Sequence, residues 1–600
     1  MSIAYSSLEP GHIRLLSFLD DTGHRCTLDS YSLTKAPKYI ALSYTWGSAA
    51  YQKGRLFTQE YEATIDSTVL SLQQNLHDAL HHLGHRVLER GCRIWIDFLC
   101  INQSDPTERS SQVQLMKEIY ERATIIYAWL GLPFDDDEAR LATMYMRKFS
   151  MFLRDGLVAH NDDIGEVAKT ISSSTYGWPS EVDSDPWKAW EGITDMFNQA
   201  YWQRTWIYQE ATTPGEIWFW CGNHSFTDVH LSAAVYFGHR FSSIAGFPER
   251  FIKATDTGSN AFALAMARSN REAKTERHLL ELLWELKNCL CTDPRDKVFA
   301  GLGHATDVRE SGIVVDYTKK LADVYIDVVR FALGRKDIGF SVFEAIVSPA
   351  SDSKNQILSA SLSPLLPSWV PDWRQRVKLG SLQGGKSIRE NGRPLFNPCP
   401  GTSPEYHING NIISILGYAL DNIIKVTEIW DNTSTCMRIP QSWEDELRFI
   451  NSDDQNFLQA YRRTLVSDTL FSSVLQNELR FFKARGNMLD WKVINAREED
   501  LDVDAHHRQD DMLSQLVTTC YGRRMGIISN GNIGIFPPAT ASGDKLAAFN
   551  GGNMLYVIRP VNDNNTFRFI GECYVDGMMD GEALRLITQK DIAAKMLHML

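Results

Sequence analysis

The sequence predicts an α/β fold in its N-terminal half, with a parallel sheet flanked by helices, followed by an α+β C-terminal region. Short strand-like runs at 39–46, 93–101 and 124–130 alternate with segments of helical periodicity. The second run is nearly apolar throughout, as expected for a strand covered on both faces. Strands and helices that alternate at this spacing form βαβ units and a parallel sheet.

Helical periodicity fills the gaps between these runs. The first helix is predicted by apolar residues at helical spacing, namely Leu72, Leu76, Ala79, Leu80 and Leu83. The second helix is predicted to begin after Asp105, which has the character of an N-cap. Pro106 then takes the first helical position, and Glu108 closes a capping box.

Further along, 141–157 and 187–201 predict helices, 216–221 predicts a strand, and 279–290 predicts another helix. The alternation then fades, and the first domain is expected to span 1–305.

Residues 306–400 are helical and then rich in Pro, Ser and Gly, and they are interpreted as a connecting region. Residues 401–600 are expected to form an α+β accessory region. It opens with a hairpin at 408–426 and ends in a small antiparallel β-unit built from runs near 545–548, 555–559 and 567–574.

Composition sets limits on function. The 600 residues carry 61 Lys plus Arg against 74 Asp plus Glu, a net charge of −13, which argues against nucleic acid as a partner. The 10 cysteines are too sparse for a disulfide scaffold. The N-terminus shows no secretory signal, and the longest apolar stretch is too short for a membrane segment. We therefore expect a cytoplasmic protein.

Three ordered blocks strongly resemble the fungal heterokaryon-incompatibility (HET) domain. They are Tyr39-Ile-Ala-Leu-Ser-Tyr-Thr-Trp-Gly47, Ile94-Trp-Ile-Asp-Phe-Leu-Cys-Ile-Asn-Gln103 with Glu108-Arg109, and Arg204-Thr-Trp-Ile-Tyr-Gln-Glu210. The resemblance implies a cytosolic effector of fungal allorecognition, or non-self recognition, whose activation leads to programmed cell death. It also implies a protein partner in recognition and self-association on activation.

The HET domain is also distantly similar to TIR domains of innate immunity, some of which cleave NAD at the nicotinamide–ribose bond. This similarity implies a flavodoxin-like (TIR-like) sheet and NAD as a candidate substrate, with no resident cofactor. A non-catalytic module that acts by oligomerisation and partner recruitment is the alternative, because family membership does not fix chemistry.

Candidate substrate-binding residues gather where the predicted strands end. Ligands of open parallel sheets bind outside the carboxyl ends of the strands. The first run ends in Tyr44, Trp46 and Gly47. The second run contributes Asp97, Asn102 and Gln103. The alternative is that Trp46 and Trp129, the latter at the end of the third run, plug the core and that the polar residues cap loops. Asp97 is equally well explained as an architectural hydrogen-bond hub.

Trp206 and Glu210 are four residues apart and share one face of a predicted helix. This spacing resembles the Trp-Cys-x-x-Glu pattern around the catalytic glutamate of NAD-cleaving TIR enzymes, although Ile207 replaces the Cys. The resemblance makes Glu210 the candidate catalytic carboxylate, with Trp206 as a substrate contact. A carboxylate near the ribose stabilises an oxocarbenium-like state. Alternatively, Glu210 is a structural carboxylate that binds a strand end or Arg204.

Three other motifs are predicted to have no chemical role. Residues 380–387 match GxxxxGK[ST], but a buried strand does not precede them and no unbroken helix follows. The histidines at 77, 81 and 85 share a helix face without completing a ligand set, so we expect no metal site. The acidic and basic run at 293–297 is expected to form a structural ion-pair turn.

Overall fold

The computed structural model describes most of the chain. The described residues are 5–46, 61–159, 185–241, 250–251, 277–309, 311–347, 366–375, 382, 395–430, 440–448, 454–467, 516, 518–562 and 565–600. They divide into two compact units, Met1–Lys320 and Leu321–Leu600. The boundaries expected at 305 and 400 stay predictions.

The N-terminal unit is built on a nine-stranded sheet. Its strands are β1 (His12–Phe18), β2 (Arg25–Ser32), β3 (Tyr39–Tyr44), β4 (Tyr61–Ile65), β5 (Thr68–Leu72), β6 (Arg93–Ile96), β7 (Ile125–Gly131), β8 (Ile217–Cys221) and β9 (His224–Thr227). Their order across the sheet is β5-β4-β2-β1-β6-β3-β7-β8-β9.

The centre of this sheet is parallel, and β2 also pairs in parallel with β4. β3 pairs in parallel with β6 on one side and with β7 on the other, and β7 pairs in parallel with β8. β1 is antiparallel to both β2 and β6, and β9 is antiparallel to β8. The predicted α/β class is confirmed, but the prediction of a purely parallel sheet is wrong. The difference arises because tight connections join β1 to β2 and β8 to β9, and a tight connection makes antiparallel neighbours.

Nine α-helices of this unit are described. They are α1 (Gln74–Glu89), α2 (Asp97–Cys100), α3 (Pro106–Arg122), α4 (Asp136–Ala159), α5 (Asp185–Phe197), α6 (Ile207–Thr212), α7 (Asp228–Phe241), α8 (Leu279–Glu285) and α9 (Asp296–Leu302). Four of the five residues in the apolar stripe predicted for α1 lie in this helix and are buried. The fifth, Leu72, ends β5 instead. All six residues of α6 are buried, so this short helix is part of the core.

The predicted second strand is shorter than expected. β6 ends at Ile96, and Asp97 begins the one-turn helix α2 instead of lying inside the strand. The Asp97 carboxylate accepts a hydrogen bond from the backbone N–H of Phe98 at 2.7 Å, which satisfies an otherwise free donor of that turn. The apolar run did not reveal this break, because residues 98–101 are mostly apolar in either conformation.

The start of α3 confirms one prediction and corrects another. Asp105 caps the helix by accepting from the backbone N–H groups of Thr107 and Glu108, and Pro106 takes the first position. Glu108 does not close a capping box. Its carboxylate pairs with buried Arg14 of β1 at 2.6 Å instead, which ties α3 to the sheet.

The C-terminal unit contains an eight-stranded sheet. Its strands are β10 (Tyr406–Asn409), β11 (Ile412–Val426), β12 (Arg524–Ile528), β13 (Ile533–Phe536), β14 (Lys545–Phe549), β15 (Leu555–Asn562), β16 (Thr566–Val575) and β17 (Lys595–Met599). Pairing runs from β11 through β12, β13, β16, β15 and β14 and returns to β11, so the sheet closes on itself. The described helices of this unit are α10 (Leu321–Gly334), α11 (Gln441–Arg448), α12 (Asp454–Leu465) and α13 (Glu582–Gln589).

The hairpin predicted at the start of this unit is confirmed by β10 and β11. The β-unit is larger than predicted, because the hairpin and the last strands join one sheet. Its pairing is antiparallel except between β16 and β17. None of the described helices, in either unit, has both the length and the apolar composition that crossing a bilayer requires.

A buried ion pair lies inside the C-terminal unit. Glu572 of β16 accepts from Arg523 at 3.2 Å and from the backbone N–H of Leu382 at 3.0 Å, both through Oε1. Its Oε2 atom is buried and has no partner among the described residues. Burial and the nearby charge of Glu344 raise the pKa of Glu572 to about 8, against the opposing effect of Arg523.

Leu382 lies inside the GxxxxGK[ST] match, whose other residues are outside the described part of the chain. A phosphate-binding loop uses free backbone N–H groups. The N–H of Leu382 is bonded to Glu572, and its carbonyl accepts from Ser467. This contact favours a structural role for that position.

The raised pKa of Glu572 predicts how stability depends on pH. A group whose pKa is higher in the folded state than in the unfolded state stabilises the fold at low pH, and this stability is lost as pH rises through the folded value. We expect urea denaturation of the full chain to show at least ~1 kcal/mol lost between about pH 6 and about pH 9. Glu572→Gln should lose clearly less.

The exposed Glu405→Gln is the matched control, because its side chain lies on the surface of the same unit. Parallel pH profiles for the parent and Glu572→Gln would contradict the assignment.

Candidate functional site

The candidate site lies at the carboxyl ends of the central parallel strands. The chain passes from β3 to β6 on one side and then returns to β7 on the other side of β3. The strand order therefore reverses at β3, and open α/β sheets bind ligands at such a reversal. The residues that follow β3 and β6, together with α6, build the surroundings of this point.

A buried hydrogen-bonded cluster lies beneath it. Glu210 of α6 is 1% exposed and accepts a hydrogen bond from the Ser43 hydroxyl of β3. Arg204 pairs with the same carboxylate oxygen, Oε2, at 3.3 Å. The Tyr201 hydroxyl lies 2.8 Å from Ser43 Oγ and must donate to it, because the single Ser43 proton is directed at Glu210. The cluster joins α6 to the central strand.

A second carboxylate lies nearer the surface. Trp46, 38% exposed, donates its indole N–H to both Asp97 oxygens at 3.0 Å. The Phe98 ring meets the indole edge-on at a centroid distance of 5.4 Å. Asp97 is partly exposed, whereas Glu210 is not. Trp46, Asp97 and Phe98 form the rim of the site, and we call them the Trp46–Asp97 rim.

The two layers interact electrostatically. Burial and the charge of Glu210 raise the pKa of Asp97 to about 6, although Arg204 and the Trp46 and Phe98 N–H groups oppose the shift. Burial also raises the pKa of Tyr44 well above its ordinary value, and the Asp97 charge adds to this effect. Tyr44 is therefore a neutral, buried neighbour of the rim.

The backbone that leads to Trp46 is held from the side of α1. Asn75 donates to the Thr45 carbonyl at 2.8 Å and accepts from the Trp129 indole N–H at 2.9 Å. Trp129 is fully buried, which agrees with the alternative that it plugs the core. Trp46 is exposed, so that alternative does not describe it.

Asn102 and Gln103 support the loop after α2. Gln103 donates to the Asp97 carbonyl at 3.0 Å, which places it directly behind the rim. The Asn102 side chain accepts from Ser104, and its backbone N–H bonds Glu108. These contacts agree with the alternative that Asn102 caps a loop. Gly47 lies outside the described residues.

Trp206 is not brought to the rim. Its side chain hydrogen-bonds Asp296 of α9, a buried carboxylate whose pKa is raised to about 6 by burial. Asp296 also accepts from the Tyr317 hydroxyl at 2.5 Å. Trp206 and Glu210 share the α6 region but bind different clusters.

The acidic and basic run at 293–297 forms contacts of the kind predicted. Asp293 pairs with Arg295 at 2.7 Å and with Arg109 of α3 at 3.4 Å. The Arg109 guanidinium lies over the Tyr317 ring, 3.6 Å from its centroid. The run therefore anchors α3 and α9 to each other.

Residues after α8 hold α6 in place, and sequence reasoning missed them. Thr205 donates its backbone N–H to the Leu290 carbonyl at 2.9 Å, and Gln209 donates to the Ala300 carbonyl at 2.8 Å. Backbone acceptors have no side-chain signature, so no motif announces such contacts. Ser43 did carry a signal, because a polar residue inside an apolar strand needs a partner.

No group of three or more His, Cys, Asp or Glu side chains suited to a metal ion occurs within the described part of the chain. Two of the α1 histidines, His77 and His81, make ring contacts. His77 stacks on Tyr61 at 3.9 Å and lies parallel to His81 at 6.2 Å.

Comparison with known proteins places this geometry in context. Residues 39–210 match the family described as heterokaryon incompatibility protein (HET), and residues 490–592 match the Het-6 beta-barrel domain. A relative from Neurospora crassa, heterokaryon incompatibility protein 6, OR allele, is 25% identical over 97% of this chain and 95% of its own length. No solved structure matches. The first match spans β3 to α6, and thus the whole site.

The buried ion pair of Arg204 and Glu210 generates a stability prediction. Arg204→Met should cost about 3–5 kcal/mol in unfolding free energy, because it leaves the Glu210 charge buried without its partner. The double variant Arg204→Met, Glu210→Gln should recover at least ~1 kcal/mol of the summed cost, because the two groups interact directly. Chemical denaturation of the four proteins measures this coupling.

Arg154→Met is the control. Arg154 pairs with Asp155 on the surface, and such pairs contribute about 0–1 kcal/mol. Additive effects of the two buried substitutions would show that Arg204 and Glu210 do not stabilise each other.

Proposed function

We propose, from the premise that this chain belongs to the fungal heterokaryon-incompatibility (HET) domain proteins, that it is an effector of non-self recognition whose activation triggers programmed cell death. The observation that carries this proposal is the similarity along almost the whole chain to a protein named for heterokaryon incompatibility. Both units take part in it, since the HET match lies in one and the Het-6 barrel match lies in the other. A cytoplasmic site of action and a protein partner in recognition belong to the same proposal.

The proposed chemical step is cleavage of NAD between nicotinamide and ribose, as in TIR enzymes. Three features support it. The four central strands lie in the order second, first, third, fourth along the chain, which is the flavodoxin-like order, and their carboxyl ends meet at the reversal. An exposed indole and a partly exposed carboxylate lie there together. Nicotinamide leaves as a neutral molecule, so the step needs charge stabilisation and no separate acid.

The burial of Glu210 bears directly on its role in this step. Its carboxylate accepts from Ser43 and Arg204 and is almost wholly shielded from solvent. A group that contacts substrate must be reachable, so Glu210 acts here as a positioning residue unless α6 moves. Asp97 is the carboxylate that a ligand reaches first.

A second candidate function follows from the same burial. If the Glu210 cluster serves only to hold α6, the HET domain is a non-catalytic module that signals through self-association or partner recruitment. The specific observation that favours this candidate is that Glu210 Oε2 is already held by two internal partners, Ser43 and Arg204.

One experiment separates the two candidates. The parent chain, Glu210→Gln and Asp97→Asn are expressed in a fungal host, and cell death and intracellular NAD are measured in the same cultures. If NAD cleavage kills, NAD falls before death in the parent. Asp97→Asn then reduces the rate of NAD loss and the frequency of cell death by at least about tenfold. The exposed Asp29→Asn serves as the control for loss of a carboxylate.

Death at the parental level with unchanged NAD in folded Asp97→Asn and Glu210→Gln would establish the non-catalytic candidate and remove NAD cleavage. Absence of death from the parent and its variants alike, at matched protein levels, would contradict the effector assignment itself.

A further inference from the structure

The charges at the candidate site do not balance. Two carboxylates, Asp97 and Glu210, face one guanidinium, that of Arg204. Arg204 lies within ion-pair distance of Glu210 but not of Asp97, and no other cationic side chain of the described residues pairs with Asp97. The remaining titratable neighbours, Tyr44, Tyr120 and Cys100, are neutral because burial raises the pKa of all three. One negative charge is left over, and it lies on Asp97.

An excess charge that is partly withdrawn from water is costly unless something compensates it. A proton can do so, and the raised pKa of Asp97, about 6, is the sign of that tendency. At neutral pH the proton is largely lost, and the carboxylate has only the N–H groups of Trp46 and Phe98 as donors. The site at neutral pH is therefore electrostatically ready for a positively charged group.

The neighbouring ring narrows the chemistry of that group. Trp46 is 38% exposed, although large aromatic side chains are usually buried. An indole face is the strongest of the aromatic side chains in binding cations. Its N–H is fixed on Asp97, so the ring and the carboxylate are held as one rigid unit. Phe98 contacts the indole and limits its motion.

We propose that the Trp46–Asp97 rim is a binding site for a ligand with a planar cationic nitrogen ring, which stacks on Trp46 with Asp97 as its counter-ion. Buried Glu210, Arg204 and Ser43 take no part in contact with the ligand. They hold α6 and β3 together beneath the rim, and the Glu210 charge increases the demand for a cation at Asp97. This inference rests on the proposed function only in that the nicotinamide ring of NAD has this chemistry.

Binding of such a ring competes with a proton for Asp97. Affinity should therefore be greatest above about pH 6 and should fall as pH drops below it, because protonated Asp97 no longer attracts a cation. Arg204 and Glu210 stay paired, so the change belongs to Asp97. A neutral ring of the same shape should bind weakly and without this pH dependence.

The test uses two matched probes, the 1-methylnicotinamide cation and neutral nicotinamide, titrated calorimetrically into the full-length protein. The parent should bind the cation at least about tenfold more tightly than the neutral ring near pH 8, and this preference should disappear near pH 5. Asp97→Asn should abolish the preference near pH 8, and Trp46→Ala should weaken binding of both probes. Asp29→Asn should behave as the parent.

Equal binding of the two probes by the parent, binding of neither at millimolar concentration, or a preference that survives in folded Asp97→Asn would each overturn the inference. Near-ultraviolet circular dichroism establishes that the variant is folded. Cation-selective binding without release of nicotinamide from NAD would support the site and remove NAD cleavage. Release of nicotinamide from NAD that is unchanged in Asp97→Asn would support NAD cleavage and remove the proposed site.

Discussion

The N-terminal unit depends on one buried contact, the shared hold of Ser43 and Arg204 on the Glu210 carboxylate. It joins the short helix α6 to the central strand of the sheet, at the point where the strand order reverses. A six-residue helix is not stable by itself, so its position comes from such contacts and from the carbonyls of Leu290 and Ala300. Because the carboxylate is buried, removing its partner should cost far more than removing a surface charge.

The same contact explains the two-layer character of the site. Glu210 lies underneath with its partners, and Asp97 lies above it at the rim. Their mutual repulsion is part of the reason that Asp97 holds its proton up to about pH 6. Trp46 then fixes the orientation of Asp97 by donating to both of its oxygens. A carboxylate that is oriented, partly desolvated and not ion-paired is suited to a cationic ligand.

The C-terminal unit follows a different principle. Its sheet closes on itself, so six strands have no free edge in the cycle that runs from β11 back to β11. Charge is again buried, in the pair of Glu572 and Arg523, and one carboxylate oxygen is left without a partner among the described residues. Because the pKa of Glu572 is raised to about 8, the stability of this unit should fall as pH rises toward that value.

The sequence by itself determined the α/β class, the central strands β3, β6 and β7, the capped start of α3 and the hairpin of β10 and β11, because local periodicity and turn residues encode these features. Its ordered blocks of residues also carried the resemblance to the HET domain family. Only the tertiary structure decided that Asp97 begins a helix, that Trp206 turns toward Asp296, and that Glu210 is buried while Asp97 is reachable. These depend on pairing between residues up to 167 positions apart, such as Ser43 and Glu210, and no local pattern carries such pairing.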